Sequence, residues 1–170
     1  MSDKQQLTIQ VEPLTKQAFK AFGDVIEIDD AQHFPINQGT VERHHDLAGV
    51  DIGGEAGRPL ISIVTCNEWF TLPYKLPLLE RHPVGSQAFI PMDNIPIVIA
   101  VAEAGESPQP EQIKAFISNG YQGINYHRNV WHMPMLFLAE EQRMIVVDRG
   151  GEGSNCDEFP FPEYEIIIRN

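Results

Sequence analysis

Positive charge is scarce in this chain: 12 lysines and arginines stand against 24 aspartates and glutamates, a formal charge of -12. Nucleic-acid binding needs a cationic footprint, so that class is excluded, and an anionic membrane surface is disfavoured for the same reason. Cysteine is also scarce. Cys66 and Cys156 lie far apart and read as free thiols, not as a disulfide framework or a paired-cysteine metal site. No apolar run is long enough to span a bilayer as a helix. The opening MSDKQQLTIQ lacks a signal-type stretch, and the ending IIIRN is no peroxisomal address. A cytoplasmic location is therefore expected. Phosphate-binding loops, the GxSxG elbow and the dinucleotide fingerprint are absent too, which argues against nucleotide hydrolysis and redox-cofactor chemistry.

What is present is punctuation. The 13 glycines and 13 prolines are spread along 170 residues, which is one domain's length, residues 1–170. Short segments between such breaks have the rhythm of an all-β barrel or sandwich. Strands are predicted at Leu7–Val11, Leu60–Thr65, Ser86–Ile90, Ile95–Ala102, Met144–Val147 and Tyr164–Ile168. Leu60–Thr65 is β-branched and nearly continuous, so it is expected to be buried. One early helix is predicted in PLTKQAFKAFGD, with Thr15 as N-cap and Gly23 just past its end, and a second short one around Pro110–Phe116. Without long crossover helices the sheet should be mostly antiparallel. The fold class is mainly β: an antiparallel β-barrel with one or two short helices and a ligand cavity at its mouth.

Polar residues gather in four places. GINYHRNVWH, from Gly123 to His132, holds two imidazoles, a guanidinium, two amides, a phenol and an indole in ten residues. VERHHDLA carries Arg43, His44, His45 and Asp46. LERHPVGSQAF carries Glu80, Arg81, His82 and Gln87. VDRGGEGSNCD carries Asp148, Arg149 and Asp157. Packing alone does not call for this density, because buried polar groups must be paired. Glu80 and His82 alternate on one strand face, with Gln87 after the turn at Gly85. Carboxylate, imidazole and amide oxygen together suit either an oxygen/nitrogen metal site or a general acid/base pair. Asn125 and His127 share a face. His127 and His132 are five apart, so on a regular strand they face opposite sides. An anionic ligand would need an arginine, and Arg43, Arg81, Arg128 and Arg149 all sit beside histidine or aspartate, so one of the four is expected to clamp a carboxylate.

VERHHDLA, LERHPVGSQAFIPM, ISNGYQGINYHRNVWH and VDRGGEGSNCD, in this order and spacing, resemble the ureidoglycolate lyase family, as does PLTKQAFKAFGDVIE near the start. The resemblance runs from about Val11 to Asp157. It implies a cupin-like barrel, a homodimer, and the splitting of (S)-ureidoglycolate into glyoxylate and urea in allantoin breakdown. Compared with cupins at large, Glu80 and His82 stand at a His-x-His pair, Gln87 at a glutamate, and His127 resembles the second-motif histidine. The implied metal set is therefore Glu80, His82, Gln87 and His127, an incomplete one. The cofactor expectation is accordingly none required, or a weakly bound divalent metal. His82 or His127 is expected as base, with Glu80 beside it, and Arg43 or Arg128, Asn125, Gln87 and Tyr126 are expected to bind a small carboxylate substrate. Two rival readings are a metal-dependent cupin oxygenase or isomerase and a non-catalytic barrel that binds a small acid.

Overall fold

Fifteen strands and almost no helix make up the computed structural model, which describes residues 4–170. In chain order the strands are β1 (Gln5–Pro13), β2 (Gly23–Ile26), β3 (His33–Ile36), β4 (Val41–His44), β5 (Arg58–Thr65), β6 (Tyr74–Leu76), β7 (Leu78–Arg81) and β8 (Gln87–Pro91). They continue with β9 (Val98–Ala102), β10 (Lys114–Ile117), β11 (Gly123–Tyr126), β12 (Trp131–His132), β13 (Arg143–Gly150), β14 (Asp157–Pro160) and β15 (Tyr164–Arg169). An eight-stranded sheet runs β14-β7-β12-β9-β10-β1-β15-β6, and a five-stranded sheet runs β2-β11-β8-β13-β5. The strongly curled sheets give the mainly β, cupin-like fold anticipated from the sequence. Pairing is antiparallel except for β1, which lies parallel to both β10 and β15. Both partners are distant in sequence, so no local crossover is needed to place it.

The predicted helix forms as a single turn, Lys16–Phe19, with the Thr15 hydroxyl accepting from the Ala18 amide. Gly23 does not cap it. It opens β2 instead, where a Cβ would sit 1.9 Å from the Asn125 carbonyl oxygen, so the close approach of β2 to β11 requires glycine there. Around Pro110 only a 3-10 turn, Pro110–Gln112, precedes β10.

The last five residues of the most apolar run, IPIVIAVA, form β9, which is buried on both faces, while Ile95–Ile97 lie outside the strand. Val98, Ala100 and Ala102 pack with Leu79, Trp131 and Ile166 inside the curl of the large sheet. Ile99 and Val101 face the other way and join Phe19, Phe89, Phe116, Ile124 and Met144 between the two sheets. A strand covered on both sides loses the polar alternation of a half-buried one.

Leu60–Thr65 departs from its expectation of burial. It forms most of β5, at the free edge of the small sheet, with Ile61 79% and Ile63 58% exposed. The outward face of β5 meets no covering layer among the described residues, so hydrophobicity alone misjudged its burial.

Candidate active site

The polar centre lies between the two sheets. Register builds it. On the large sheet His132 in β12 stands directly opposite Glu80 in β7, and His82 follows the end of β7. On the small sheet Tyr126 in β11 stands opposite Gln87 in β8, on the inward face shared with Ile124's partners in the core. Asp148, two residues past the inward Val146 of β13, meets Gln87, whose amide nitrogen donates to it at 3.3 Å. Glu80, His82 and Gln87 are thus brought together as their spacing suggested. His127 is not with them.

His127 lies in the turn after β11, half-exposed, with its Nε2 3.1 Å from Asp24 Oδ2. His132 occupies the interior instead, 1% exposed. The reason is a break in the chain: Asn129 takes a left-handed conformation (φ 66), and the chain passes from the small sheet to the large one between Tyr126 and Trp131. Asparagine tolerates that conformation better than most residues. Tyr126 and His132 then stack face to face, ring centroids 4.1 Å apart.

Both imidazoles are oriented by backbone carbonyls. His82 Nδ1 lies 2.6 Å from the Asn155 oxygen, and His132 Nδ1 3.0 Å from the Val130 oxygen. A carbonyl only accepts, so each Nδ1 carries hydrogen, and the tautomer this selects has its lone pair at Nε2. His82 Nε2 faces Gln87 Oε1 at 3.1 Å, and His132 Nε2 faces Glu80 Oε1 at 3.6 Å. Lone pairs therefore converge. His132 Nε2 is buried with no hydrogen-bond partner.

Burial pushes the Glu80 carboxyl up, but His132, His82 and the Cys156 thiol together outweigh it and hold the group below its ordinary value. Burial holds His132 below its ordinary value, more strongly than Glu80 raises it. Both directions describe one state, an ionised carboxylate beside a neutral imidazole. The Cys156 thiol, raised by burial and by Glu80, stays protonated and donates to Glu80 Oε2 at 3.8 Å. Burial also pushes the Tyr126 phenol far up, so it remains neutral.

This donor set fits a divalent cation. Ligand atoms of Glu80, His82 and His132 lie within 4.8 Å of one another, and the buried, unpartnered Nε2 of His132 points at the group. Gln87 Oε1 adds a fourth oxygen/nitrogen donor beside His82. No lysine or arginine among the described residues pairs with Glu80 or Asp148.

The arginines take other places. Arg128 is committed to Asp51, with its Nε 2.8 Å from Oδ2. Arg149 donates to the carbonyls of Gly53, Glu55 and Glu152, tying two glycine-rich loops together. Arg43 and Asn125 lie on the opposite, outer side of the small sheet, lining a separate cavity. The residues that sequence reasoning passed over are His132 as Glu80's partner, Asp148 as Gln87's, and Asn155 and Cys156. The nonlocal register of β7 with β12 and β14 brings three of them in, and single-strand periodicity carries no trace of it.

Comparison with known proteins adds a further finding. The sequence model of a family described as "Ureidoglycolate lyase" matches residues 6–169. A ureidoglycolate lyase of Pseudomonas entomophila is 48% identical over 96% of this chain and 97% of its own. One from Pseudomonas syringae pv. syringae is 48% identical over 93% and 92%, and one from Burkholderia mallei 48% over 92% and 91%.

Proposed function

Since the chain belongs to the ureidoglycolate lyase family, its activity is the cleavage of ureidoglycolate, and we propose that the Glu80–His82–His132 cluster with Gln87 is where this occurs. The observation that carries the reading is the convergence of two bare imidazole nitrogens on an ionised, half-buried carboxylate.

The substrate carbon bears a hydroxyl, a ureido nitrogen and a carboxylate. Elimination removes the hydroxyl proton, forms the aldehyde C=O of glyoxylate, breaks the C–N bond and returns a proton to the departing urea nitrogen. His82 is fixed for this, because its Nδ1–H is held by Asn155 and its Nε2 is the basic atom. It takes the hydroxyl proton at Nε2 and delivers it to the leaving nitrogen, so no net proton is consumed. Gln87, its amide nitrogen held toward Asp148, orients the reacting end through Oε1, which accepts from a ureido N–H. The neutral, buried Tyr126 ring forms the wall against which His132 is stacked and excludes water. The register of β7 with β12 sets Glu80 directly opposite His132.

Glu80, His82 and His132, with Gln87, would alternatively hold a divalent metal, and His82 Nε2 would then be a ligand and not the base. Such an ion would supply Lewis acidity toward the substrate's oxygens and the positive charge that an anion needs. That no lysine or arginine among the described residues pairs with Glu80 or Asp148 supports this. The finer reading is the (S) enantiomer, in allantoin-derived purine breakdown, by a cytoplasmic homodimer on a single domain.

The test is urea and glyoxylate release from racemic ureidoglycolate, with and without chelator. Glu80→Gln, His82→Ala and His132→Ala should each lower kcat/KM by roughly 10²–10⁴-fold. Near wild-type rates in all three would remove the assignment. His127→Ala should leave far more activity than any of them.

A further inference from the structure

His82 lies between two hydrogen-bond acceptors. The Asn155 carbonyl is 2.6 Å from its Nδ1, and Gln87 Oε1 is 3.1 Å from its Nε2. Gln87 cannot turn its amide to relieve this, because its nitrogen already donates to Asp148 Oδ2. A neutral imidazole has one N–H for these two acceptors. If the proton sits on Nδ1, Nε2 keeps its lone pair. If it sits on Nε2, it is spent on Gln87 and the ring presents no base to a substrate. The nearer acceptor decides, so the position of one peptide carbonyl selects the tautomer.

The segment that brings this carbonyl in has few ties of its own. Gly151, Glu152, Gly153 and Ser154 are exposed. Gly153 has a positive φ of +81, and a Cβ there would meet nothing within 4 Å. Arg149 holds the Glu152 carbonyl at 3.0 Å on one side, and β14 begins at Asp157, opposite Arg81, on the other. Between these anchors, among the described residues, the polar ties are those of Asn155 and Cys156. The Asn155 side chain supplies the tie to backbone: its Oδ1 accepts from the Val84 N–H at 2.9 Å, in the turn that follows His82. Asn155 therefore grips one turn with two oxygens, the side-chain one on Val84 and the main-chain one on His82. Cys156 comes next and donates to Glu80 Oε2 at 3.8 Å, so the same peptide also reaches the carboxylate.

We propose that Asn155 is a positioning residue, whose side-chain bond to Val84 holds its own carbonyl against His82 and thereby keeps the lone pair of that ring on Nε2. The inference rests on the reading of His82 as the base. Substitution cannot delete a backbone carbonyl, but it can delete the side chain that steers it.

The test is nitrogen-15 NMR of the full chain with labelled histidine, the His82 signals being those lost in His82→Ala. The wild type near neutral pH should show the Nδ1–H tautomer. Asn155→Leu keeps the volume and removes the acceptor. It should move the ring toward the Nε2–H tautomer and lower kcat roughly 10–100-fold, with KM within about threefold of wild type. Asn155→Asp retains the acceptor and should retain the wild-type tautomer. Should Asn155→Leu fail to fold, Asn155→Ala carries the same test. A lower Tm with tautomer and kcat unchanged would overturn the proposal, because the asparagine would then only stabilise the turn. So would a wild-type ring protonated on both nitrogens. A shifted tautomer with full kcat would support the hold on His82 while removing its assignment as the base.

Discussion

His132 is a residue whose position the sequence stated only in part. Its parity with Tyr126 is visible in GINYHRNVWH, but its pairing with Glu80 depends on a strand contact across 52 positions of chain, which periodicity cannot reveal. Glu80, His82 and Gln87 were legible because a strand and a tight turn fix their relation locally. His127 was favoured over His132 for the interior because the break at Asn129 was not anticipated. A buried neutral imidazole also sets a pH dependence. The folded-state pKa of His132 lies below the ordinary 6.5, so below that pH the unfolded chain binds the extra proton. Stability is therefore full above about pH 6.5 and falls as the pH drops through it. Glu80, also lowered, acts in the same direction below about 4.5. The urea midpoint should decline between pH 7.5 and 5.5, and His132→Asn should flatten that decline. An unchanged slope in the variant would place the titrating group elsewhere.

Among the elements, the two glycine-rich loops depend on one side chain. Arg149 enters from β13 and donates to Gly53, Glu55 and Glu152, and a Cβ at Gly54 or Gly151 would meet its guanidinium at 2.9 or 2.7 Å. In the sequence Arg149 is one of four arginines beside histidine or aspartate, with no role assigned; the structure uses it to hold backbone. Bonds from a charged donor contribute about 1.5–3 kcal/mol each to stability, and an abandoned buried carbonyl costs a comparable amount. Arg149→Met should lower Tm by several degrees, at roughly 2–4 °C per kcal/mol in a chain of this size. Limited proteolysis should then cut first between residues 52 and 57. Core strands were easier to foresee. IPIVIAVA reads as a strand, and β9 within it is buried on both faces, whereas LISIVT reads as a buried strand and forms an uncovered edge. Local composition states how apolar a strand is, and only the layer beyond it decides whether it is buried.

Across the whole molecule, charge and exposed apolar surface set the behaviour. A protein of formal charge -12 repels an anionic substrate, and salt screens that field over about 10 Å at 0.1 M. kcat/KM for ureidoglycolate should rise as ionic strength goes from about 10 to 150 mM. A fall would mean that local positive charge outweighs the global field. Ile61 and Ile63 stand exposed on an edge strand, the arrangement that natural proteins usually cover or charge. If the proposed homodimer uses this face, Ile61→Glu should shift sedimentation from two chains to one at micromolar concentration, with the fold retained by circular dichroism. The mainly β class and the positions of six strands were legible in the sequence. Which face meets a partner was not, because exposure belongs to the assembled sheets.

β11 has a consequence of a different kind. Its four residues are two interleaved messages: Ile124 and Tyr126 address the space between the sheets, and Gly123 and Asn125 address the outside. Either message can drift while the other is preserved, so the two sides of this wall can change independently along one short strand. A single inserted residue would exchange the messages, carrying the tyrosine out and the asparagine in. Substitution can tune this wall one side at a time; a change of length alters both sides at once.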